Sequence, residues 1–387
     1  MIRPDYAGGS IANLMRTLAD ACGAGGLPQP PLAPRYRLET KTLARARNLV
    51  LFVVDGLGAR LLADYGSGAL RAHAGATLTS VFPSTTAAAI PTFMTGLPPA
   101  QHALTGWHMW LDELQAVTAI LPLTPRTGKP FAETPAQLTA KLFDHRPLYA
   151  AMHRPAWVIS PREIAFSPFN AFHSHGADTL AYADLDGLMQ TLAGLVRVPG
   201  RKFVYAYWPL LDSVAHRFGT DSKEARATLA AFCTAFDALQ AELAGSDTTL
   251  LVTADHGFID SPERRIVQLD EHPELAALLA RPLCGEQRVA WCYLKPGAGD
   301  DFRHYVASRL AESADAVPCA QLLADGWFGP GPAHPRLASR IGDYALVMRD
   351  NWTIKDWLPG ERRHTLIGVH GGVSADEMEV PLVALHC

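Results

Sequence analysis

Four short segments of the chain carry side chains of the kinds that bind divalent metal ions. The candidate ligands are Asp55, Asp212, His216, Asp255, His256 and His370. Carboxylate oxygens and imidazole nitrogens are typical ligands of zinc-like dications. Two such ions a few ångströms apart can clamp a phosphoryl group between them. These residue types therefore indicate metal-assisted chemistry on a phosphoryl or similar group.

The spacing within two of these segments favours shared metal sites. Asp212 and His216 are four residues apart in YWPLLDSVAHRF, so both lie on one face if this is the first turn of a helix. Asp255 and His256 are adjacent in TADHGF, and a turn at Gly257 lets them diverge toward two ions. Each segment alone also has an ordinary explanation, such as a turn residue, a helix cap or a surface ion pair. Their joint occurrence favours the metal interpretation.

A cluster of hydroxyl side chains supplies the candidate nucleophile. The run SVFPSTTAAAIPTFMTG predicts a strand at SVF, a turn, and then the start of a helix. Helix N-termini present unpaired N–H groups that favour anions, and a metal-bound hydroxyl there can ionise and attack phosphorus. Ser84, Thr85 and Thr86 all fit this role by residue type and position, and a helix cap without chemistry is the alternative.

The elements that must position these residues follow one pattern. Uninterrupted apolar runs, NLVLFVV, KFVYAYW and TTLLVT, predict buried strands, and helical segments lie between them. Strands that alternate with helices indicate a mostly parallel α/β sheet. In such sheets ligands bind beyond the carboxyl ends of the strands, where these segments converge. The run VPLVAL near the C-terminus predicts a further core strand.

The domain organisation follows from length and regularity. A chain of 387 residues, 48% of them hydrophobic, has ample material for one large catalytic domain over 1–387. The pattern is less regular over about 105–150, which predicts an insertion or cap. A second irregular stretch, about 260–365, contains RVAWCYLKPG, DFRHYVASRLAES and DYALVMRD, and predicts an inserted α+β subdomain.

Charge and composition narrow the range of partners and locations. The net charge of −4 gives no reason to expect a nucleic-acid polymer or a membrane as partner. The N-terminus lacks the features of a secretory signal, and no apolar run approaches the ~18–20 residues that span a bilayer. The six cysteines are scattered, which is typical of reduced thiols. We therefore expect a cytoplasmic protein; its oligomeric state is not predicted.

The motifs together resemble those of the alkaline phosphatase superfamily, and most closely those of its nucleotide pyrophosphatase/phosphodiesterase branch. The resemblance rests on VVDG, FPSTT…TGLPPAQH, YWPLLDSVAH, TADHG and HGGVSADEMEVPL, which occur in the family's order between about 48 and 385. It implies an alkaline-phosphatase-like fold, in which helices flank a mostly parallel central sheet. It also implies two Zn²⁺ ions per chain, with Mn²⁺ or another divalent ion as the alternative.

The resemblance also assigns roles to individual residues. It implies that Asp212, His216 and His370 hold one ion, and that Asp55, Asp255 and His256 hold the other. Counting back from the TGL segment aligns the family's nucleophile with Thr86, which would bind the second ion. Tyr207 falls where relatives place an aromatic residue near the substrate.

One departure from the family pattern affects substrate recognition. Diesterase relatives carry an asparagine that binds a phosphoryl oxygen after the TGL…H segment, but here Gly106 and Trp107 stand in that region, with no arginine nearby. We expect backbone N–H groups, His108 or a residue of an insertion to replace it. Trp107 and neighbouring aromatic residues can also wall a pocket for a flat group, although plain packing is the alternative.

These observations predict a two-metal phosphohydrolase that cleaves phosphodiester or nucleotide pyrophosphate bonds through a phospho-threonine intermediate. The expected substrate is a small-molecule phosphoester, with nucleotides among the candidates. Phosphomonoester, phosphonate or sulfate-ester hydrolysis with the same metal site is the nearest alternative. An inactive phosphatase-fold interaction module is an alternative of another class, but such modules typically lose metal ligands, and this chain has them all.

Overall fold

A seven-stranded sheet forms the centre of the computed structural model, which describes residues 1–361, 363 and 365–387. In spatial order its strands are β2 (Ala74–Thr79), β18 (Glu379–His386), β9 (Thr248–Thr253), β1 (Asn48–Val54), β8 (Lys202–Trp208), β6 (Ala156–Pro161) and β7 (Asp178–Tyr182). The pairs from β9 through β7 are all parallel, and β18 runs antiparallel to both β9 and β2. The predicted mostly parallel sheet is confirmed.

Helices cover both faces of this sheet. The α-helices of the described residues are α1 (Ile11–Ala21), α2 (Thr40–Arg45), α3 (Ala59–Tyr65), α4 (Gly68–Ala72), α5 (Thr86–Thr95), α6 (Pro99–His102), α7 (Pro135–Leu142), α8 (Pro168–His173), α9 (Leu185–Arg197), α10 (Leu210–Phe218), α11 (Lys223–Glu242), α12 (Pro273–Leu278), α13 (Gly299–Arg309), α14 (Cys319–Ala324), α15 (Leu337–Ile341) and α16 (Ala375–Met378). Among the described residues, no helix combines the length and hydrophobicity needed to cross a bilayer.

The packing of α11 shows why β1 is apolar along its whole length. All seven residues of β1 are buried, because helices cover the sheet on both sides. Phe232 of α11 lies edge-on against Phe52 of β1 and stacks on Trp208 of β8, with ring centroids 5.3 and 4.9 Å apart. Ser222 caps the helix by accepting a hydrogen bond from the Ala225 N–H, which fixes where α11 begins.

A second sheet of seven strands lies outside the central one. In spatial order it contains β14 (Ala314–Pro318), β15 (Tyr344–Met348), β13 (Val289–Cys292), β12 (Cys284–Gly285), β3 (His108–Leu111), β4 (Ala116–Ala119) and β5 (Thr124–Pro125). Every pairing in it is antiparallel. Apolar residues of β13 and β15 form clusters separate from the central core, whereas Met109 and Leu111 of β3 pack into that core.

The pairing of Gly285 with His108 joins strands from the two predicted insertions, about 105–150 and about 260–365, in this one sheet. The sequence gives no indication of this pairing. Arg362 and His364, which fall in the second predicted insertion, lie outside the described residues. The division of 1–387 into one catalytic domain with two insertions stays a prediction.

Two further pairs of short strands lie outside the two large sheets. One contains β10 (Ile259–Asp260) and β17 (Gly368–Val369), and the other contains β11 (Ile266–Gln268) and β16 (Thr353–Lys355). β17 is the element directly before His370. It therefore places a C-terminal residue beside the ends of the central strands.

The strand predicted at SVF is wrong, because β2 ends at Thr79. The Ser80 N–H donates to the Met378 carbonyl at 2.7 Å, and the Ser80 hydroxyl donates to the Asp255 carbonyl. These contacts turn the chain away from β2 and direct it into the turn before α5.

Candidate active site

The carboxyl ends of three neighbouring central strands bring the candidate ligands together. Asp55 follows β1, Asp255 and His256 follow β9 on one side of β1, and α10 follows β8 on the other side. Both Asp212 and His216 lie on α10, as their spacing predicts. Parallel strands end at the same edge of a sheet, so segments far apart in sequence meet there.

Asp212, His216 and His370 form the first candidate metal triad. One ligand atom from each lies within 4.8 Å of the others. The Nε2 atom of His216 is 3.3 Å from Asp212 Oδ1 and 3.2 Å from His370 Nε2. All three side chains are partly exposed to a cavity.

Asp55, Asp255 and His256 form the second candidate triad, and all three are buried. The Nε2 atom of His256 is 3.3 Å from Asp55 Oδ1 and 3.4 Å from Asp255 Oδ2. The ring of His256 stacks on that of His370 with centroids 3.6 Å apart, so the two triads are in direct contact. Gly257, the residue after His256, is packed against the Asp376 backbone, where a Cβ would lie 2.0 Å from the Asp376 carbonyl oxygen.

The donor atoms of both triads are arranged as divalent cations require. Among the described residues, Asp55 Oδ1, Asp212 Oδ1 and Asp255 Oδ2 are buried oxygens without a hydrogen-bond partner. Unpaired buried carboxylate oxygens are costly, and a cation is a natural partner for them. The residues present therefore fit a pair of metal ions.

The three histidines are held in the orientation that metal binding needs. The Nδ1 atoms of His216, His256 and His370 lie 2.9, 3.0 and 3.3 Å from the carbonyl oxygens of Gly368, Gly257 and Ser84. An Nδ1–H that donates to a carbonyl leaves the Nε2 lone pair free to bind an ion. All three Nε2 atoms point into the same space between the triads.

The close packing of the candidate ligands shifts the pKa values of three of them. Burial, together with the charges of Asp255 and Asp212, raises the pKa of Asp55 well above its usual value. Burial and the neighbouring imidazoles hold the pKa of His370 well below its usual range. Burial also opposes protonation of His216, but the Asp212 carboxylate outweighs it and raises the pKa.

The three candidate hydroxyls face different partners. The Ser84 hydroxyl donates to the Gly372 carbonyl at 2.8 Å, and the Thr85 hydroxyl donates to Glu286 at 2.7 Å. The Thr86 Oγ1 atom lies 3.0 Å from His256 Nε2, against the buried triad. Thr86 is also the first residue of α5, where unpaired N–H groups face an incoming anion.

Tyr207 lies behind the buried triad. Its hydroxyl donates a short hydrogen bond to Asp55 Oδ2, while Asp255 Oδ1 accepts from the N–H groups of Gly56 and His256 at 3.1 and 3.0 Å. Among the described residues, Tyr207 is not one of those that line the cavity in front of the triads. Tyr207 is therefore placed to orient Asp55. The family resemblance instead implied that it contacts the substrate.

A cavity of about 680 Å³ opens in front of the triads. Thr86, Asp212, His216 and His370 form its inner wall. The other lining residues come mostly from the second sheet and its loops and include Trp107, His108, Arg126, Cys284, Glu286, Gln287, Lys355, Trp357 and Glu361. The exposed side chain of Trp107 and the half-buried His108 therefore lie at the cavity, and their contact with substrate stays a prediction.

Sequence reasoning missed three charged residues of this wall. Glu286 lies beside Trp107, and burial raises the pKa of its carboxyl to about 7. Burial lowers the pKa of Lys355 to about 8. Arg126 is held by Glu361 at 2.7 and 2.9 Å and by Asp356 at 2.8 Å, so its guanidinium is already neutralised. No motif marks these residues, because the second sheet assembles from distant segments.

Comparison with known proteins agrees with this geometry. A family model described as type I phosphodiesterase / nucleotide pyrophosphatase matches residues 49–372. The chain belongs to this family. The predicted resemblance to the nucleotide pyrophosphatase/phosphodiesterase family is therefore confirmed. A search of curated proteins finds no match to the chain.

Solved structures share the fold of this family member at low sequence identity. Murine ectonucleotide pyrophosphatase/phosphodiesterase 5 is 16% identical with a TM-score of 0.64, and the match covers 87% of each chain. Phosphonoacetate hydrolase from Sinorhizobium meliloti 1021, solved with phosphonoformate, is 17% identical with a TM-score of 0.63. That match covers 88% of this chain and 90% of the other. These likenesses confirm the alkaline-phosphatase-like fold.

Proposed function

We propose that this protein is a two-metal phosphohydrolase that cleaves phosphodiester or nucleotide pyrophosphate bonds in small molecules. The observation that carries the proposal is the pair of contiguous triads, with unpaired carboxylate oxygens and with the Thr86 hydroxyl against the buried one. Asp55, Asp255 and His256 would hold one ion, and Asp212, His216 and His370 the other. Zinc suits this mixture of carboxylate and imidazole ligands.

Bound divalent ions would lower the pKa of a hydroxyl and neutralise charge that develops on the phosphoryl oxygens. Thr86 Oγ1 attacks phosphorus in line with the leaving oxygen, so that a P–O bond to Thr86 forms as the bond to the leaving group breaks. Water then attacks the phospho-threonine, restores the Thr86 hydroxyl and releases the phosphoryl product. The N–H groups at the start of α5 stabilise the phosphoryl oxygens throughout.

Related structures support a small phosphorus-containing substrate. An inactive threonine-to-alanine variant of the murine protein was solved in complex with AMP, and the bacterial hydrolase was solved with phosphonoacetate and with phosphonoformate. The net charge of −4 and a cavity of about 680 Å³ also suit a small molecule better than a nucleic-acid polymer. The cytoplasmic location stays a prediction.

The test compares chromogenic esters hydrolysed by zinc-loaded protein. We expect a higher kcat/KM for bis-para-nitrophenyl phosphate than for para-nitrophenyl phosphate. The cavity offers no free arginine near Trp107 among the described residues, so the additional charge of a monoester gains little there. A clear preference for the monoester would overturn the diesterase assignment and leave the two-metal mechanism intact. Protein with two ions bound that hydrolyses neither ester would contradict the proposed function.

A further inference from the structure

Glu286 lies beside the segment that lacks the phosphoryl-binding asparagine of diesterase relatives. Its Oε1 atom accepts hydrogen bonds from the Trp107 N–H at 2.6 Å and from the Thr85 hydroxyl at 2.7 Å. Trp107 stands in the region of the missing asparagine, and Thr85 immediately precedes the proposed nucleophile. One carboxylate thus connects the substituted segment to the N-terminus of α5.

The turn that carries Glu286 is rigidly fixed. Glu286 follows β12, and its N–H donates to the Val289 carbonyl at 2.9 Å. Arg288, two residues later, pairs with Glu377 at 2.9 and 3.0 Å, and both side chains are almost fully buried. Glu377 also accepts from the Gly372 N–H at 2.8 Å. The segment after His370 therefore holds Glu286 in place.

The carboxylate faces the proposed phosphoryl site. Glu286 lines the same cavity as Thr86, Asp212, His216 and His370. Its side chain lies against the His370 segment: a Cβ on Gly371, the neighbour of His370, would lie 2.7 Å from the Glu286 Cβ. Among the described residues, the second carboxylate oxygen, Oε2, accepts no hydrogen bond. It is therefore available to act on a bound group.

The guanidinium in the cavity wall does not offset the charge of Glu286. Arg126 also lines the cavity, but Glu361 and Asp356 already bind it. The charges of Glu286 and a phosphoryl group have the same sign, so their repulsion increases with the charge of that group. A phosphomonoester carries two negative charges at alkaline pH, whereas a diester carries one.

We propose that Glu286 is a specificity-determining residue that disfavours dianionic phosphoryl groups and so selects monoanionic esters such as phosphodiesters. This inference rests on the proposed function, because it concerns the same phosphoryl site. It adds a repulsive element to the account, and specificity often depends on such elements as much as on attractive contacts. The role differs from that of an asparagine, which donates to the group it binds.

Two variants separate the charge of Glu286 from its structural role. Glu286→Gln removes the charge and keeps an oxygen that accepts from Trp107 and Thr85, whereas Glu286→Ala removes both. The substrates are para-nitrophenyl phosphate, bis-para-nitrophenyl phosphate and para-nitrophenyl methylphosphonate. The last is a monoanion of nearly the monoester's size, so it separates charge from bulk. Elemental analysis confirms equal metal content in each variant.

We expect Glu286→Gln to raise kcat/KM for the dianionic monoester about tenfold relative to both monoanions, at about pH 8.5, where the carboxyl of the parent is ionised. Glu286→Ala should lower kcat/KM for all three, because the Trp107 segment and Thr85 lose their anchor. A Glu286→Gln protein that changes all three substrates equally, or that leaves the monoester-to-diester ratio unchanged, would overturn the proposal.

Binding of inorganic phosphate tests the proposal independently of turnover. Zinc-loaded Glu286→Gln protein should bind phosphate about tenfold more tightly than the parent, as measured by calorimetry. Unchanged phosphate affinity would overturn the proposal even if every ester is hydrolysed. If no ester is hydrolysed but phosphate binding tightens, the proposed function fails and the role of Glu286 in charge selection stands.

Discussion

The two triads contain the same residue types but lie at different depths. Asp55, Asp255 and His256 are 2%, 0% and 0% exposed, and they follow adjacent strands of the central sheet. The side chains of Asp212, His216 and His370 are 16%, 23% and 9% exposed, and they come from α10 and the segment after β17. The buried triad contacts Thr86, the proposed nucleophile, whereas the partly exposed triad faces the cavity.

The two triads are positioned by different parts of the fold. Parallel strands fix the buried ligands, so the nucleophile gains a rigid position against them. The partly exposed triad depends on the His370 segment, which the buried Arg288–Glu377 pair ties to the second sheet. Breaking such a buried pair typically costs about 3–5 kcal/mol. In the proposed mechanism, substrate recognition and the second metal site therefore depend on the second sheet, and the nucleophile depends on the central one.

The largest expected effect tests whether the nucleophile belongs to the buried triad. Thr86→Ala should lower kcat by at least about 10⁴-fold, because the atom that bonds to phosphorus is lost. Folding and most metal binding should remain, as measured by circular dichroism and elemental analysis. Ser84→Ala and Thr85→Ala are the controls and should retain much more activity. A Thr85→Ala protein that is inactive while Thr86→Ala is active would place the nucleophile one residue earlier.

The next prediction compares the two triads directly. Asp255→Asn and Asp212→Asn each remove one carboxylate ligand, so bound zinc should fall from two ions per chain to about one in each. The ligands of the buried site are the less exposed set, so Asp255→Asn should lose its ion more completely. Titration with a chelator measures both affinities. Equal loss of zinc from both sites would show that the depth of a triad does not decide how tightly it holds its ion.

A smaller effect tests how the buried triad is supported. Tyr207→Phe removes the hydroxyl that donates to Asp55, and loss of such a supporting contact typically costs about 10–100-fold in metal affinity or activity. Tyr182→Phe is a matched control, because the Tyr182 hydroxyl donates to the Tyr207 carbonyl at 2.8 Å and touches neither triad. Equal activity of both variants would argue against an orienting role for Tyr207.

The smallest expected effect concerns a histidine cluster that lacks carboxylate ligands. The Nε2 atoms of His145 and His173 are 2.9 Å apart in the interior, and burial lowers the pKa of His145 to about 4. The unfolded state therefore binds more protons than the folded state between about pH 6.5 and pH 4, so stability falls as the pH falls through this window.

In the parent, His145 should lower the free energy of unfolding by about 1–1.5 kcal/mol at about pH 5.5, relative to neutral pH. His145→Gln should remove this loss. Urea unfolding at several pH values measures it, and the slope decides the result, because the substitution also changes packing. The exposed His304→Gln should leave the slope unchanged. A His145→Gln protein with the slope of the parent would show that His145 does not cause acid sensitivity.

The sequence predicts those parts of the molecule whose signals are local. The apolar runs of β1, β8 and β9 and the periodic pattern of α11 identify the central sheet and its covering helix. The metal candidates follow from residue types at strand ends. The choice of Thr86 among three hydroxyls came only from the family resemblance, and the geometry adds the contact with His256 that residue types alone cannot give.

The segments DFRHYVASRLAES and DYALVMRD, read as parts of an α+β subdomain, correspond to α13 and β15. The pairing of the second sheet could not be predicted, because it depends on contacts between distant segments. β12 has only two residues and β3 only four, so neither shows a clear alternating pattern. The edge strand β7 is mostly exposed or half-buried, which hides its membership of the central sheet. Glu286 and Arg126 were missed for the same reason, since their partners come from segments far away in the chain.

The most direct test of the two-metal site is the anomalous diffraction of zinc-loaded crystals. We predict two zinc peaks per chain about 3.5–4.5 Å apart, each about 2.0–2.2 Å from its protein ligand atoms. One peak should be bound by Asp55, Asp255 and His256, and the other by Asp212, His216 and His370. A single peak, or a ligand set that omits Asp212 and His370, would contradict the account.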